Sequence, residues 1–162
     1  YEDLVELLTA EGVKVLDNGK SILERDGDTI TLLGLADKRV NPHYDKILEM
    51  MCKGHEDDFK LLLCHRPELF ADYVEREIPL VCCGHAHGGQ IRLPFIGGLF
   101  APNQGFFPKY TEGMHRAGKT SMAVSRGLGN STFPFRIFNR PELVVITLYH
   151  KGETDYTETT TV

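Results

Sequence analysis

The sequence predicts an α/β fold, because two apolar, strand-like runs flank a helical run and each leads to a histidine. The first run, residues 59–64, precedes His65, and the second, residues 79–83, leads through a glycine to His85. Pro67 marks the start of the helix between them. A strand–helix–strand unit predicts parallel strands joined by a right-handed crossover. Both histidines should then lie at the same edge of the sheet, where α/β proteins bind their ligands.

The N-terminal elements follow from periodicity and turn signals. Residues 1–11 carry the apolar stripe of a short helix, and residues 13–16 fit a short strand. Residues 20–24 and 29–35 flank an Asp-Gly turn and predict a β-hairpin. An Asn-Pro pair then opens a predicted helix over residues 43–52.

The C-terminal elements are shorter and less regular. Residues 90–93 predict a strand, and residues 121–125 and 143–149 predict two strands of an outer β-layer. Residues 93–109 are rich in proline, glycine and large apolar side chains, which predicts a long irregular loop. Such a loop is uncommon inside a compact domain unless it has a function.

The composition is that of a single globular domain over residues 1–162. The chain is 41% apolar and 25% charged, which are ordinary fractions, and its length allows a substantial core. Its four cysteines form neither a disulfide framework nor a zinc-ribbon pattern. Three of them, Cys64, Cys82 and Cys83, fall on predicted buried strands, where cysteine behaves as a small apolar residue. This usage favours a reducing compartment. A cytoplasmic or membrane-associated protein is the expected localisation.

The net charge of −5 is unevenly distributed. Residues 91–140 contain one acidic side chain, Glu112, and seven basic ones: Arg92, Lys109, Arg116, Lys119, Arg126, Arg136 and Arg140. A basic region suits an anionic, phosphate-bearing substrate, although a solvated surface can carry the same bias. Nucleic acid is not an expected partner, because the whole chain is acidic and has no nucleic-acid-binding motif.

A tight loop bounded by glycines, residues 84–89, carries His85 and His87. Neutral imidazole is a common ligand of divalent metals, and histidines one residue apart can face one ion or two adjacent ions. Together with His65 they predict a metal site at the sheet edge; for His65, a core histidine bonded to backbone is the alternative. Of the remaining histidines, His43, His55 and His150 fit surface positions. His115 lies in the segment after this loop and fits a structural position better than a ligand.

Several segments resemble the calcineurin-like metallophosphoesterases, and within them the bacterial phosphodiesterase branch with a Gly-His-x-His-Gly-Gly-Gln loop. The matching segments are residues 62–67, 83–94, 105–110, 125–129 and 140–143. The resemblance implies half of a two-sheet sandwich flanked by helices, and hydrolysis of phosphomonoesters or phosphodiesters at two adjacent divalent metal ions. His65 and His85 would bind one ion and His87 the other. The resemblance does not distinguish Mn, Fe, Zn and Mg.

Three further motifs of that family are absent from this sequence: Asp-x-His, Gly-Asp-x-x-Asp and Gly-Asn-His. The pair Gly27-Asp28 is followed by Thr31 where an aspartate would be needed. The resemblance therefore implies the C-terminal part of a longer domain, whose missing N-terminal half holds the catalytic residues. The C-terminal part alone should be inactive. The alternative is a non-catalytic domain that binds one structural metal or none.

Polar and apolar residues near the histidines suggest further contacts. Arg66, Gln90 and Arg126 are candidates for binding the substrate phosphate or for supporting the ligand histidines. Six large apolar side chains predict contact with a membrane surface or a lipid-like substrate: Phe95, Ile96, Leu99, Phe100, Phe106 and Phe107. Capping of the hydrophobic core, or covering by the missing half, is the alternative for them.

Overall fold

A mixed sheet forms the centre of the molecule. The computed structural model describes residues 2–37, 39, 41–131, 135–149 and 159–161. Its strands are β1 (Gly19–Arg25), β2 (Asp28–Leu35), β3 (Lys60–Cys64), β4 (Leu80–Cys83), β5 (Arg92–Leu93), β6 (Gly97–Gly98), β7 (Phe100–Ala101), β8 (Gly105–Phe106), β9 (Gly113–Ala117), β10 (Thr120–Val124), β11 (Val144–Ile146) and β12 (Thr159–Thr161). Six of them form the central sheet in the order β1-β2-β3-β4-β10-β9, and the others pair as β5-β6, β7-β8 and β11-β12.

Three helices accompany the sheet: α1 (Glu2–Ala10), α2 (Tyr44–Cys52) and α3 (Phe70–Glu75). A 3₁₀ turn, Pro67–Leu69, leads into α3. Helices α2 and α3 contribute to the core that the sheet residues Leu33, Leu62 and Val81 also form. Helix α1 has no buried residue. No helix in the described part of the chain is long and apolar enough to cross a bilayer.

The α/β class and the predicted parallel pair are confirmed. Strands β3 and β4 run parallel, with Leu61 opposite Leu80 and Leu63 opposite Cys82. Strands β2 and β10 run parallel to their neighbours β3 and β4. Four strands therefore point their C-terminal ends to one edge of the sheet. The predicted N-terminal hairpin is also present as β1 and β2.

Several predicted strands differ from the structure. The predicted strand at residues 121–125 is β10, but it lies in the central sheet beside β4 rather than in an outer layer, and its side chains Met122 and Val124 are fully buried. Strand β9 was not predicted, because its sequence alternates weakly and lies at the sheet edge. Residues 13–16 form no strand; Leu16 instead lies against Gly34, where a Cβ atom would overlap it. The segment 93–109, predicted as irregular, contains parts of two minimal hairpins, β5-β6 and β7-β8.

The two faces of the sheet differ in burial. On the face covered by helices, Leu62 and Cys64 of β3 are 0% and 4% exposed. On the opposite face, Leu63 of the same strand is 42% exposed. Successive side chains of a strand point to opposite faces, so the described residues leave part of this second, apolar face uncovered.

Candidate metal centre

His65 and His85 lie side by side at the C-terminal edge of the central sheet. Strand β3 ends one residue before His65, and β4 ends two residues before His85. The parallel register brings these strand ends next to each other. The centroids of the two imidazole rings are 4.9 Å apart, with 67° between the ring planes. Cys64 lies on the other side of its strand, since it is buried and its Sγ lies 3.0 Å from Tyr73 Oη.

The loop after β4 is held in a strained conformation. Three of its non-glycine residues adopt positive φ: His85 at 62°, His87 at 48° and Gln90 at 58°. Such a conformation costs on the order of 1–3 kcal/mol per residue, and it persists only where surrounding contacts fix it. Strain of this kind concentrates at functional sites, so the loop geometry supports a functional role for its histidines.

Two glycines and one asparagine fix this loop. Gly88 has φ 66°, and a Cβ atom there would overlap the side chain of Asn139; a Cβ atom at Gly89 would overlap the backbone of β6. The Asn139 side chain in turn donates from Nδ2 to the carbonyl oxygens of His87, at 2.6 Å, and of Gln90, at 3.0 Å. The Gly-Gly pair is therefore required by close approach as well as by backbone conformation.

The surroundings of His65 and His87 favour the neutral forms of these two residues. Burial and the neighbouring His85 lower the pKa of His65. Burial and the charge of Arg136 lower the pKa of His87, against the effect of its hydrogen bond to the backbone of Gly129. A neutral imidazole has a ring nitrogen with a free lone pair, which is the form that binds metals. His65 and His87 are thus held in the ligand-competent protonation state at neutral pH.

Arg66 lies behind the histidine pair and is 2% exposed. Its Nε donates to Asp37 Oδ2 at 2.9 Å and its Nη2 to Asp37 Oδ1 at 2.6 Å, while Nη1 lies 3.3 Å from Glu68 Oε1. Burial alone would raise the pKa of Asp37, but hydrogen bonds from Arg66 and from the Arg39 backbone outweigh it and hold that pKa below its usual value. Nη1 also lies 2.9 Å from His85 Nε2. This placement suits support of a histidine better than binding of a substrate in solvent.

The donor set fits part of a metal site. In the part of the chain that the structure describes, no three side chains of His, Cys, Asp or Glu come close enough together to hold a metal ion. The adjacent pair His65 and His85 supplies two imidazoles, and His87 follows on the same loop. Structural zinc sites need four protein ligands and catalytic sites usually three. The described histidines therefore match an incomplete coordination shell.

Comparison with known proteins assigns the family. The chain is 38% identical over 144 residues to YkuE of Bacillus subtilis, an uncharacterized metallophosphoesterase. The matched region is 88% of this chain and 49% of YkuE. It is 30% identical over 149 residues to the phosphodiesterase YaeI of Escherichia coli, and the matched region is 88% of this chain and 50% of YaeI. The chain belongs to the calcineurin-like metallophosphoesterase family. It spans about half the length of these curated relatives. No family model matches the chain, and no solved structure gives a significant match.

Three of the seven basic residues in the basic region of this metallophosphoesterase chain pair with acids: Arg92, Lys119 and Arg126. Arg126 lies 3.3 Å from Glu142 and 3.4 Å from Glu112, and Arg92 also pairs with Glu112. The side chain of Gln90 donates to Ser131 Oγ at 2.8 Å. Of the three predicted supporting residues, only Arg66 therefore contacts a site histidine directly among the interactions described.

The other described histidines differ in burial. His43 is exposed. His55, predicted at the surface, is half-buried and bonds through Nδ1 to Asp58 Oδ2 at 2.6 Å. His115 is half-buried, and its Nε2 donates to the carbonyl oxygen of Glu112 at 3.0 Å. His150 lies outside the described residues. All four cysteines are free thiols, as the sequence predicts.

Sequence reasoning missed three polar residues of the site: Asp37, Asn103 and Asn139. Asp37 holds Arg66, Asn139 holds the histidine loop, and Asn103 Oδ1 lies 2.9 Å from His85 Nε2. A signal existed for Asp37, since it follows β2 closely, as His65 follows β3. The two asparagines lie in connecting segments, where asparagine is common and by itself indicates only a turn.

Proposed function

We propose that this chain supplies the histidine side of a dinuclear metal centre that hydrolyses phosphoesters. The observation that carries the proposal is the pairing of His65 and His85 at the edge where parallel strands end. Ligands of α/β proteins bind at such edges. Membership of the metallophosphoesterase family gives this pair its chemical meaning.

Each histidine has an assigned role in this proposal. His65 and His85 hold one divalent ion and His87 holds the second. When bound, two divalent ions would supply charge that orients the phosphate and lowers the pKa of a water molecule. The chain itself contributes neutral imidazoles and the loop that fixes their spacing. None of the described residues needs to act as a covalent nucleophile.

The remaining ligands must be carboxylates or amides from outside these 162 residues. Two close cations repel each other unless anionic ligands lie between them, and this sequence lacks the Asp-x-His, Gly-Asp-x-x-Asp and Gly-Asn-His motifs of the family. The curated relatives are about twice the length of the matched region. The half-exposed Leu63 marks a face that a second sheet would cover. We therefore propose that an additional N-terminal half completes the domain, and that the 162 residues alone are inactive.

Arg66 has a supporting rather than a substrate-binding role in this proposal. Its guanidinium is buried and bonded to Asp37, so it cannot reach a phosphate without breaking an ion pair. Arg126 is likewise paired with two acids, Glu112 and Glu142. Substrate charge would then be met mainly by the metal ions.

The same chain also forms a substrate entrance suited to a lipid-like molecule or a membrane surface. A cleft of about 580 Å³ adjoins the histidine loop at Gly89 and Gln90. Its walls include Ile91, Leu99 and Phe100. Phe106, on β8, also lines this cleft and is itself 72% exposed. An apolar cleft beside a phosphate-binding centre suits a phosphoester with an apolar substituent.

Metal analysis and a hydrolysis assay test the proposal together. The full-length protein should contain two divalent ions and hydrolyse a chromogenic phosphodiester such as bis(p-nitrophenyl) phosphate. The isolated 162 residues should bind at most one ion well and show no substantial turnover. His43→Ala, at an exposed histidine, is the matched control and should change neither result. Robust metal-dependent hydrolysis by the isolated chain would overturn its assigned role as one half of the centre.

A non-catalytic domain is the second candidate, because the described residues enclose no complete metal site. It predicts a single bound metal, or none, and no hydrolysis in the full-length protein. The same two measurements therefore separate the candidates.

A further inference from the structure

The tip of the β7-β8 hairpin reaches into the histidine pair through one side chain. Asn103 lies in the turn between the two strands, with φ 64°. Its Oδ1 atom is 2.9 Å from His85 Nε2 and also contacts Arg66 Nη1. A single amide oxygen therefore contacts both a proposed metal ligand and the buried arginine behind it.

Arg66 determines which end of the Asn103 amide faces inward. A guanidinium has hydrogen-bond donors and no acceptor, so the Asn103 atom in contact with it must be the oxygen. Arg66 cannot turn away, because it is 2% exposed and makes two hydrogen bonds to Asp37. The contact with Arg66 thus fixes the orientation of the Asn103 side-chain amide, and Oδ1 is the atom that contacts His85.

Hydrogen counting then determines the tautomer of His85. Arg66 Nη1 carries two hydrogens but has three neighbours: Asn103 Oδ1, Glu68 Oε1 at 3.3 Å and His85 Nε2 at 2.9 Å. The other oxygen of Glu68, Oε2, is buried without a hydrogen-bond partner. If Arg66 Nη1 donated one of its two hydrogens to His85, it could no longer donate to both Glu68 and Asn103. One of those two oxygens would then lose its hydrogen bond from Arg66.

The arrangement that satisfies these groups leaves Nε2 of His85 protonated. Arg66 Nη1 donates to Asn103 and Glu68, and His85 Nε2–H donates to the second lone pair of Asn103 Oδ1. The lone pair of His85 is then on Nδ1. A histidine that binds a metal commonly donates its other ring N–H to an oxygen in this way, which fixes both tautomer and ring orientation.

We infer that Asn103 is a positioning residue for His85, which it holds as the Nε2–H tautomer with Nδ1 free to bind a divalent cation. The inference rests on the proposed function for the role of His85 as a ligand. It also gives the hairpin Phe100–Phe106 a defined link to the metal centre. Asn103 acts through His85 and does not itself contact the substrate in this inference.

Histidine ¹⁵N NMR of the metal-free, full-length protein tests the tautomer directly. Wild-type His85 should show the Nε2–H form. Asn103→Gly removes the acceptor while keeping a residue that accepts positive φ, and it should release a population of the Nδ1–H form. Asn103→Asp keeps an oxygen acceptor and should restore the wild-type tautomer. Gln104→Ala is the control for loosening of the hairpin, because Gln104 bonds the backbone of Tyr110 and not His85.

Zinc titration of the same proteins provides the second readout. Asn103→Gly should weaken binding of one Zn²⁺ equivalent by about 10–100-fold, the usual effect of removing a residue that orients a ligand. Asn103→Asp and Gln104→Ala should bind within a few-fold of wild type. Finding His85 as Nδ1–H in the wild type, or no change in tautomer and affinity in Asn103→Gly, would overturn the inference. If the wild-type protein binds no metal and hydrolyses nothing, the proposed function fails. The NMR measurement of the His85 tautomer then decides separately whether Asn103 positions His85.

Discussion

The parallel strands β3 and β4 and the hairpin segment 91–109 meet at one site but are built in opposite ways. The strand ends lie on a buried core, and the arginine behind them is 2% exposed and bonded to acids. The hairpin segment has strands of two residues, and Phe95, Phe106 and Phe107 are mostly exposed. The sheet holds the two histidines at a fixed spacing. In the proposed function the loop supplies access and specificity, as loops on rigid scaffolds commonly do.

The largest expected effect on the rigid region comes from Asp37→Asn. Removing one partner of a buried ion pair costs about 3–5 kcal/mol, because it leaves a buried charge uncompensated. We expect the free energy of unfolding in urea to fall by about this amount at pH 7. Asp26→Asn is the control, because Asp26 pairs with Arg25 in a turn and its side chain is 89% exposed. It should change the free energy of unfolding by less than about 0.5 kcal/mol. A loss of under about 1 kcal/mol for Asp37→Asn would mean that Glu68 alone can hold Arg66.

The loss of stability in Asp37→Asn should depend on pH and should be smaller in acid. The pKa of Asp37 is lowered in the folded protein, so the folded state favours its charged form more than the unfolded state does. Its contribution is complete above the unfolded value of about 3.9 and is lost as the pH falls through the lower folded value. The difference in stability between wild type and Asp37→Asn should therefore shrink in acid. A difference that stays constant down to pH 2 would contradict the assigned ion pair.

Loss of a ligand histidine should have the next largest effect. In the full-length protein, His85→Ala and His87→Ala should each remove one metal equivalent, since the two residues are assigned to different ions. Each should lower kcat by at least about 100-fold, given that even supporting residues cost about 10–100-fold. Elemental analysis and steady-state kinetics measure both effects, with His43→Ala as the control. Two retained metals and near-normal rates in both variants would contradict the assignment.

Tyr73→Phe should have a smaller effect. The Tyr73 hydroxyl is buried and donates to the carbonyl oxygen of Arg66 at 2.7 Å. Its removal leaves that carbonyl without this bond, which costs about 1–2 kcal/mol of unfolding free energy. Tyr149→Phe is the control, because Tyr149 is 49% exposed and water can replace its hydroxyl. Equal losses of unfolding free energy in the two variants would show that burial does not make the Tyr73 hydrogen bond more important for stability.

The sequence predicted the regular part of this architecture and missed the contacts that cross it. The order strand–His65–helix–strand–His85 was enough to place the two rings together, because the parallel crossover and the strand ends are local features. The position of β10 beside β4 was not predictable, since a strand inserted from far along the chain leaves no local signal. The same holds for Asn103, whose partner lies 18 residues away.

Polar support for the site was predictable only where it followed a pattern. Arg66 was singled out because it follows a predicted ligand, and it contacts His85. Gln90 was singled out for its position after the Gly-Gly pair, yet its side chain bonds Ser131. A polar residue beside a motif can turn to either side of the chain, and tertiary packing decides which. Asn139, 52 residues from His87, holds the loop instead.

The smallest expected effect on stability, and the sharpest test of the contrast, concerns the exposed aromatic side chains of the hairpin segment. Phe100, Phe106 and Phe107 are 40%, 72% and 64% exposed. Changing Phe106 or Phe107 to serine should alter the free energy of unfolding by less than about 0.5 kcal/mol, because these side chains bury little apolar area. Phe100 is more than half buried and contacts the Phe106 ring, so its change should cost about 1 kcal/mol. Burial of one such side chain in a bilayer interface is worth about 1.5–3 kcal/mol. The triple variant should therefore lose most of its binding to anionic phospholipid vesicles while it stays folded.

Co-sedimentation of the full-length protein with such vesicles measures this directly. A variant with Leu4, Leu7 and Met50 changed to serine is the matched control, since these residues are 57%, 66% and 74% exposed elsewhere in the chain. It should sediment as the wild type does. Unchanged binding of the Phe100, Phe106 and Phe107 variant, or no binding by the wild type, would remove the membrane role and leave these side chains to line the cleft. Marked unfolding of the variant would show instead that the segment carries stability, and the contrast between a rigid sheet and an accessible hairpin would fail.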